Sequence, residues 1–266
     1  MTPFVSPAAE ALWERIPADS SLIFGPLALT RNPAGIDLRH RDDVGSGVSS
    51  LRSIPSTDLP GLGQVDALGR FRPNKASPNL VRGWFHTAPD APALDAALDA
   101  MLPGGLADWY AVQSGTAAPI PWQQYADRQT GMYRNVALMN EPEAEEVARA
   151  GCHPRCCTRQ RLWTVGERPP EAVMEKSAVP CLEPCALLLE LARRAQKTHA
   201  TEERSTIVLT QSELVILDSL FNWALEHPDA SLREGDLSSP GNPRRILLLR
   251  EKLLPWLPDK PLGQAH

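Results

Sequence analysis

Cysteine is the residue type in this chain with the clearest capacity for chemistry. All five cysteines fall between Cys152 and Cys185, in the groups Cys152-His153-Pro154-Arg155-Cys156-Cys157 and Pro180-Cys181-Leu182-Glu183-Pro184-Cys185, with 23 residues, 158–180, between Cys157 and Cys181. Thiolates bind soft cations, and four of them suit either a tetrahedral zinc ion or a cubane iron–sulfur cluster. Three or four intervening residues let a loop turn back so that a local pair of sulfurs meets one centre. Closure across the spacer supplies the second pair. Five incidental core thiols are the plain alternative, but ordinary packing does not gather them into so short a stretch. An odd count also suits disulfide pairing poorly.

Spacing separates the two metal readings. Structural zinc favours two-residue knuckles, which are absent here, whereas cluster sites accept wider spacings. Cys185 opens an expected helix whose N-terminus favours the negative charge of a ligated cluster. Proline precedes Cys181 and Cys185, holding the loop while presenting no competing backbone donor. The pattern therefore points to a 4Fe-4S cluster, with zinc as the alternative cofactor, where His153 could replace a sulfur. One cysteine is surplus, and spacing does not choose between Cys156 and Cys157.

The elements that must carry these residues follow from caps, turns and periodicity. Ser6-Pro7 starts a short amphipathic helix that ends at Pro17. Ser21–Thr30 and Gly35–His40 are expected strands about a turn at 31–34, residues 44–64 a loop, and Leu68–Phe71 and Leu80–His86 further strands. Asp90–Met101 has helical spacing and Val136–Met139 suggests a strand. The acidic helix Glu141–Ala150 delivers the chain to Cys152. Beyond the cysteines, Cys185–Lys197 is helical, Thr210-Gln211-Ser212-Glu213 is a capping box, and Asn242-Pro243 caps a last helix, Arg244 to Leu254.

Between the expected strands lies the basic loop Arg70–Arg82. Arg72, Lys75 and Arg82 could hold a carboxylate-bearing substrate through charge-assisted bonds, although a solvated charged turn is the default reading of such a segment. A formal net charge of −5 leaves no basic field for a nucleic acid. No apolar run is long enough to span a bilayer and the N-terminus lacks a signal-peptide pattern, so no membrane partner is expected and the localisation reads as cytoplasmic. That reducing compartment again disfavours disulfides. Walker, Gly-x-Ser-x-Gly and His-Glu-x-x-His motifs are missing, and no catalytic residue is assigned.

Four segments together resemble a family. They are Arg72-Pro73-Asn74-Lys75-Ala76-Ser77-Pro78-Asn79-Leu80-Val81-Arg82-Gly83-Trp84; Pro121-Trp122 with Arg128-Gln129-Thr130-Gly131-Met132-Tyr133; Cys157-Thr158-Arg159-Gln160-Arg161-Leu162-Trp163; and Pro180-Cys181-Leu182-Glu183-Pro184-Cys185. In this order they are similar to the accessory and 4Fe-4S region that follows the chelatase domains in long sirohydrochlorin cobaltochelatase-type proteins, over most of residues 65–200. The resemblance implies a cubane cluster and implies that the cysteine before Arg-x-Arg-Leu-Trp ligates. The expected set is then Cys152, Cys157, Cys181 and Cys185, with Cys156 as the alternate to Cys157. Family members carry chelatase domains ahead of this region, while only about 65 residues precede the match here. The resemblance thus implies a chelatase on a separate polypeptide as partner, and a tetrapyrrole as the related ligand.

The expected fold is α+β. It comprises an accessory domain of mixed sheet and helix over 1–140, a cysteine-rich cluster-binding domain over 141–200 and a small helical unit over 201–266. The expected function is that of a cluster-binding accessory to a sirohydrochlorin or other tetrapyrrole chelatase in cobalamin or sirohaem biosynthesis. Two alternatives are a ferric-chelate reductase passing single electrons through the cluster, and a zinc-stapled interaction module.

Overall fold

Pro7 in a first helical turn wastes no backbone donor, and Ala8, Ala9 and Leu12 then bury one face of α1 (Pro7–Arg15). The computed structural model describes residues 6–65, 69, 78–167, 177–201, 206–229 and 231–257. Its backbone divides into two units, the first Met1–Tyr125 with Pro154–Pro184 and the second Ala126–His153 with Cys185–His266. Sheet and helices are both present, as an α+β chain requires.

The first unit is built on a five-stranded sheet in the order β1-β2-β3-β5-β4. Its strands are β1 (Ser21–Phe24), β2 (Leu27–Asn32), β3 (Gly35–His40), β4 (Arg52–Ser53) and β5 (Trp84–Ala88). All neighbours run antiparallel except β4 and β5. Strand alternation decides which side chains point inward: Trp84, His86 and Ala88 of β5 are buried while Phe85 and Thr87 are half-buried. Phe24, Leu29, Ile36, Leu38 and Trp84 pack with Leu12 of α1, Leu94 and Leu98 of α3 (Ala91–Met101), and Leu106 and Trp109 of α4 (Gly105–Gln113).

Two expectations are corrected here, and one helix is added. Ser21–Thr30 is two strands, because Gly25, at φ +63°, turns the chain before Pro26. Residues 44–64 include β4, 3-10 turns and the helix α2 (Leu59–Gln64). Its glycines read as a loop, but an added Cβ at Gly63 would stand 2.8 Å from the Ala100 carbonyl, so glycine is what lets α2 lie against α3. The helix α4 was not anticipated, since Leu106, Trp109, Tyr110, Ala111 and Val112 surround it with apolar groups and leave no amphipathic stripe. The expected strand Leu68–Phe71 lies outside the described residues, Gly69 apart.

Helix α5 (Trp122–Asp127) carries the chain from the first unit into the second. The second unit opens on a 3-10 helix, Gly131–Leu138, where Val136–Met139 was expected to be a strand. Val136 and Met139 are buried and Leu138 is exposed, a three-residue spacing that fits 3-10 geometry rather than strand alternation. Helices α6 (Glu141–Gly151), α7 (Ala186–Thr201), α8 (Gln211–Glu226) and α9 (Pro243–Glu251) follow. The Thr210–Glu213 capping box is present, and Asn140 and Glu143 make a second one at α6. Charged groups tie α9 down: Arg250 meets Asp218 of α8 at 2.7 Å and Glu251 meets Arg149 of α6 at 2.9 Å.

Candidate metal centre

In the first unit a short parallel ladder handles two of the cysteines. Strand β6 (Gln160–Arg161) pairs with β7 (Pro180–Cys181), setting Arg161 opposite Cys181, with Cys157 four residues upstream of that pair. The Gln160 N–H donates to the Val179 carbonyl at 2.9 Å and the Leu162 N–H to that of Cys181 at 3.1 Å. Flanking chain is stitched on as well, Ile120 to Leu182 and Trp122 to Thr164.

The ladder is fastened to the core at both strands. Val179 is fully buried, the Ala178 N–H donates to Ile23 of β1, and the Gly25 N–H donates to the Ser177 hydroxyl. Thr158, the residue after Cys157, is also fully buried. Arg159 donates to the Pro180 carbonyl at 3.3 Å and to Asp108 of α4 at 3.2 Å. Cys157 and Cys181 are half-buried, and the Cys181 thiol donates to the Glu183 carbonyl at 3.2 Å. Cys156 is only 4% exposed.

Two buried tryptophans back this region. Trp122 and Trp163 face each other with ring centroids 6.1 Å apart, and the Arg161 guanidinium lies 5.0 Å from the Trp163 ring centroid. The Arg-x-Arg-Leu-Trp segment read from the sequence therefore has three structural tasks: Arg159 clamps β7, Arg161 faces Cys181 in the ladder, and Trp163 fills the core.

In the second unit the other two cysteines are helix-end residues. Cys152 caps the C-terminus of α6, its N–H bonded to the Ala148 carbonyl at 2.9 Å. Cys185 immediately precedes α7 and its carbonyl accepts the Leu189 N–H at 3.0 Å, so it opens that helix as expected. A Cβ added at Gly151 would fall 2.3 Å from Leu188 Cδ1. Glycine next to Cys152 thus allows the end of α6 to meet the first turn of α7, where Cys185 begins. The buried Arg244 of α9 reaches the same place, its Nε 3.4 Å from the Gly151 carbonyl and its Nη2 3.0 Å from Glu234. A cation at that carbonyl also offsets the negative end of the α6 dipole.

Sequence reasoning missed Gly151, Ser177 and Arg244, because none carries metal-binding chemistry and their partners are distant in the chain. The proposed substrate residues fare differently. Arg72 and Lys75 lie outside the described residues, and Arg82 is bonded to Asp42 at 2.5 Å.

The donor chemistry fits an iron–sulfur cluster. The five cysteines carry thiols, not disulfides, and Cys152, Cys157, Cys181 and Cys185 all retain some exposure. Among the described residues, no three His, Cys, Asp or Glu side chains are gathered in a group that would hold a metal ion. Nor is any described helix long and apolar enough to cross a membrane.

Comparison with known proteins agrees with this chemistry. Residues 114–194, which include every cysteine, match the family of 4Fe-4S iron–sulfur cluster binding domains, a finding that supports the cluster and gives none to zinc. Residues 9–113 match the DR2241 stabilising domain. No curated protein sequence matches the chain. Among solved structures it is similar to DR2241 from Deinococcus radiodurans, described as a multi-domain protein with structural similarity to chelatases and two additional novel domains. The TM-score is 0.56 at 27% identity, over 71% of this chain and 40% of that one. The chain thus spans less than half of its chelatase-like relative, and it resembles, in order, a DR2241 stabilising domain and a 4Fe-4S cluster binding domain, in keeping with the C-terminal region of long cobaltochelatase-type proteins.

Proposed function

We propose that the chain is an accessory protein of a tetrapyrrole chelatase, acting in cobalamin or sirohaem biosynthesis in the cytoplasm, and that Cys152, Cys157, Cys181 and Cys185 ligate its 4Fe-4S cluster. The observation that carries the functional reading is the succession of a stabilising-domain match and a cluster-domain match on one chain that is also similar to a chelatase-like structure. Burial supports Cys157 over Cys156 as ligand: a thiol 4% exposed behaves as a small apolar core group, whereas Cys157 is half-buried.

A bound cluster supplies one-electron chemistry or a covalent staple. The protein's own contribution is to hold the ligands. The β6–β7 ladder and Arg159 fix Cys181 and the segment after Cys157, and Gly151 and Arg244 fix the helix end at Cys152.

Anaerobic purification with iron and acid-labile sulfide analysis tests the cofactor, with about four of each expected per chain. Co-purification tests the partner: the tagged, cluster-loaded chain is expected to retain a sirohydrochlorin-type chelatase. Zinc in place of iron would overturn the cofactor assignment. A loaded chain that retains no chelatase would overturn the accessory role.

A further inference from the structure

The helices of the second unit enclose a half-open cleft of about 630 Å³, within the roughly 300–1,000 Å³ of small-molecule sites, which commonly form between helices of a bundle. Its walls come from α6, α7, α8 and α9, so much of the cleft lies beyond residue 194, where the cluster-domain match ends. Val147, Leu191 and Leu237 are each about 1% exposed and give it an apolar interior. Four cations line it, Arg194, Lys197, Arg245 and Lys252, against the carboxylates Glu143 and Glu146.

That excess of positive charge stands on a chain whose net charge is −5. One of the cations, Arg245, is not cancelled locally. Arg245 donates to the neutral carbonyl of Ser238 at 2.8 Å and has no carboxylate partner among the described residues. Arg194 shares the carboxylate of Glu190 with Arg193 and also feels the negative charge of Asp236, so it is balanced, and Arg245 is the cation left open to a ligand. Guanidinium groups pair bidentately with carboxylates, and an apolar interior rejects a fully hydrated anion.

We propose that this cleft binds a small organic anion with an apolar body and at least one carboxylate. The inference rests on neither the cluster assignment nor the chelatase reading. Two kinds of molecule share this chemistry, a flat macrocycle with carboxylate arms and a dicarboxylic acyl chain. Coproporphyrin III and hexadecanedioate serve as the respective probes in equilibrium dialysis and calorimetry with the full-length, cluster-loaded chain.

One probe at least is expected to bind in a 1:1 ratio, and whichever binds identifies the source. Arg245→Glu and Lys252→Glu are each expected to weaken it roughly tenfold or more, while Arg233→Glu, which is not among the lining residues, leaves it within about twofold. Ala224→Trp, at a half-buried position in the wall, is expected to abolish binding by filling the space, with circular dichroism confirming that the helices persist. Failure of both probes at about 100 µM overturns the site. So does loss of binding on charge reversal with full retention in Ala224→Trp, which would mean that surface charge alone attracts the anion.

Discussion

Cys181 and the segment after Cys157 are held by a backbone ladder whose strands lie 20 residues apart and whose base, Val179, sits in the core of the first unit. Cys152 and Cys185 in the second unit are instead end residues of helices, each positioned by hydrogen bonds to residues four positions away. The first arrangement depends on long-range closure. The second depends on how closely two helix ends approach, which Gly151 governs. Placement of these cysteines should therefore fail differently in the two units: the ladder through loss of register, and the helix ends through altered packing at a single contact.

The largest effect tests the shared role of the two pairs. Serine at Cys152, Cys157, Cys181 or Cys185 is expected to remove most of the iron from anaerobically purified protein, starting from about four per chain. Cys156→Ser is expected to keep it. If Cys156→Ser loses the iron and Cys157→Ser retains it, the assignment between the neighbours is reversed, and the first unit presents its ligand from the buried side of the turn.

Two arginines perform the same task in different surroundings and sharpen the contrast. Arg244 bonds the Gly151 carbonyl beside Cys152 while its guanidinium is 4% exposed and its partner Glu234 9%. Removing one member of a buried pair leaves a desolvated charge, so Arg244→Ala should cost about 3–5 kcal/mol. Arg159 bonds the Pro180 carbonyl beside Cys181, but it and Asp108 are 24% and 38% exposed. Arg159→Ala should cost only about 1 kcal/mol. Urea unfolding of both variants checks the order, and equal costs would show that burial does not separate the two clamps. Gly151→Leu falls between them, at about 1–3 kcal/mol from overpacking against Leu188. Unchanged stability there would mean that the helix ends part freely.

Legibility in the sequence follows the same division. The second unit was largely readable, because Thr210 with Glu213 and Asn242 with Pro243 announce helix starts through chemistry confined to one turn. Cysteine identity and clustering announced the cofactor chemistry that the cluster-domain match supports. The ladder was not readable: two-residue strands have no period, and the partners of Gln160 and Leu162 are set only by folding. Gly63 and Gly151 misled or stayed silent for a related reason, since a glycine that admits a neighbouring helix looks in sequence like any other glycine. In α4 apolar residues on every side concealed the helix.

The smallest effects concern acid, and they too differ between the units. His40 of the first unit is fully buried; its Nδ1 accepts the Asp42 N–H, and burial lowers its pKa below the usual 6.5 despite the nearby Asp42 carboxylate. The unfolded chain then binds the proton more readily, so this contribution is complete above about 6.5 and is lost as the pH falls through the lower, folded value. In the second unit the Arg193 and Arg194 guanidiniums hold Glu190 down from 4.5 to about 2. Its contribution is present above 4.5 and disappears between there and about 2. On acidification the first unit should begin to weaken near neutrality and the second only below about 4.5. Stability measured against pH should lose its upper slope in His40→Gln and its lower slope in Glu190→Gln. If His40→Gln leaves the profile unchanged above pH 4.5, the buried imidazole is not what makes the first unit more sensitive to mild acid.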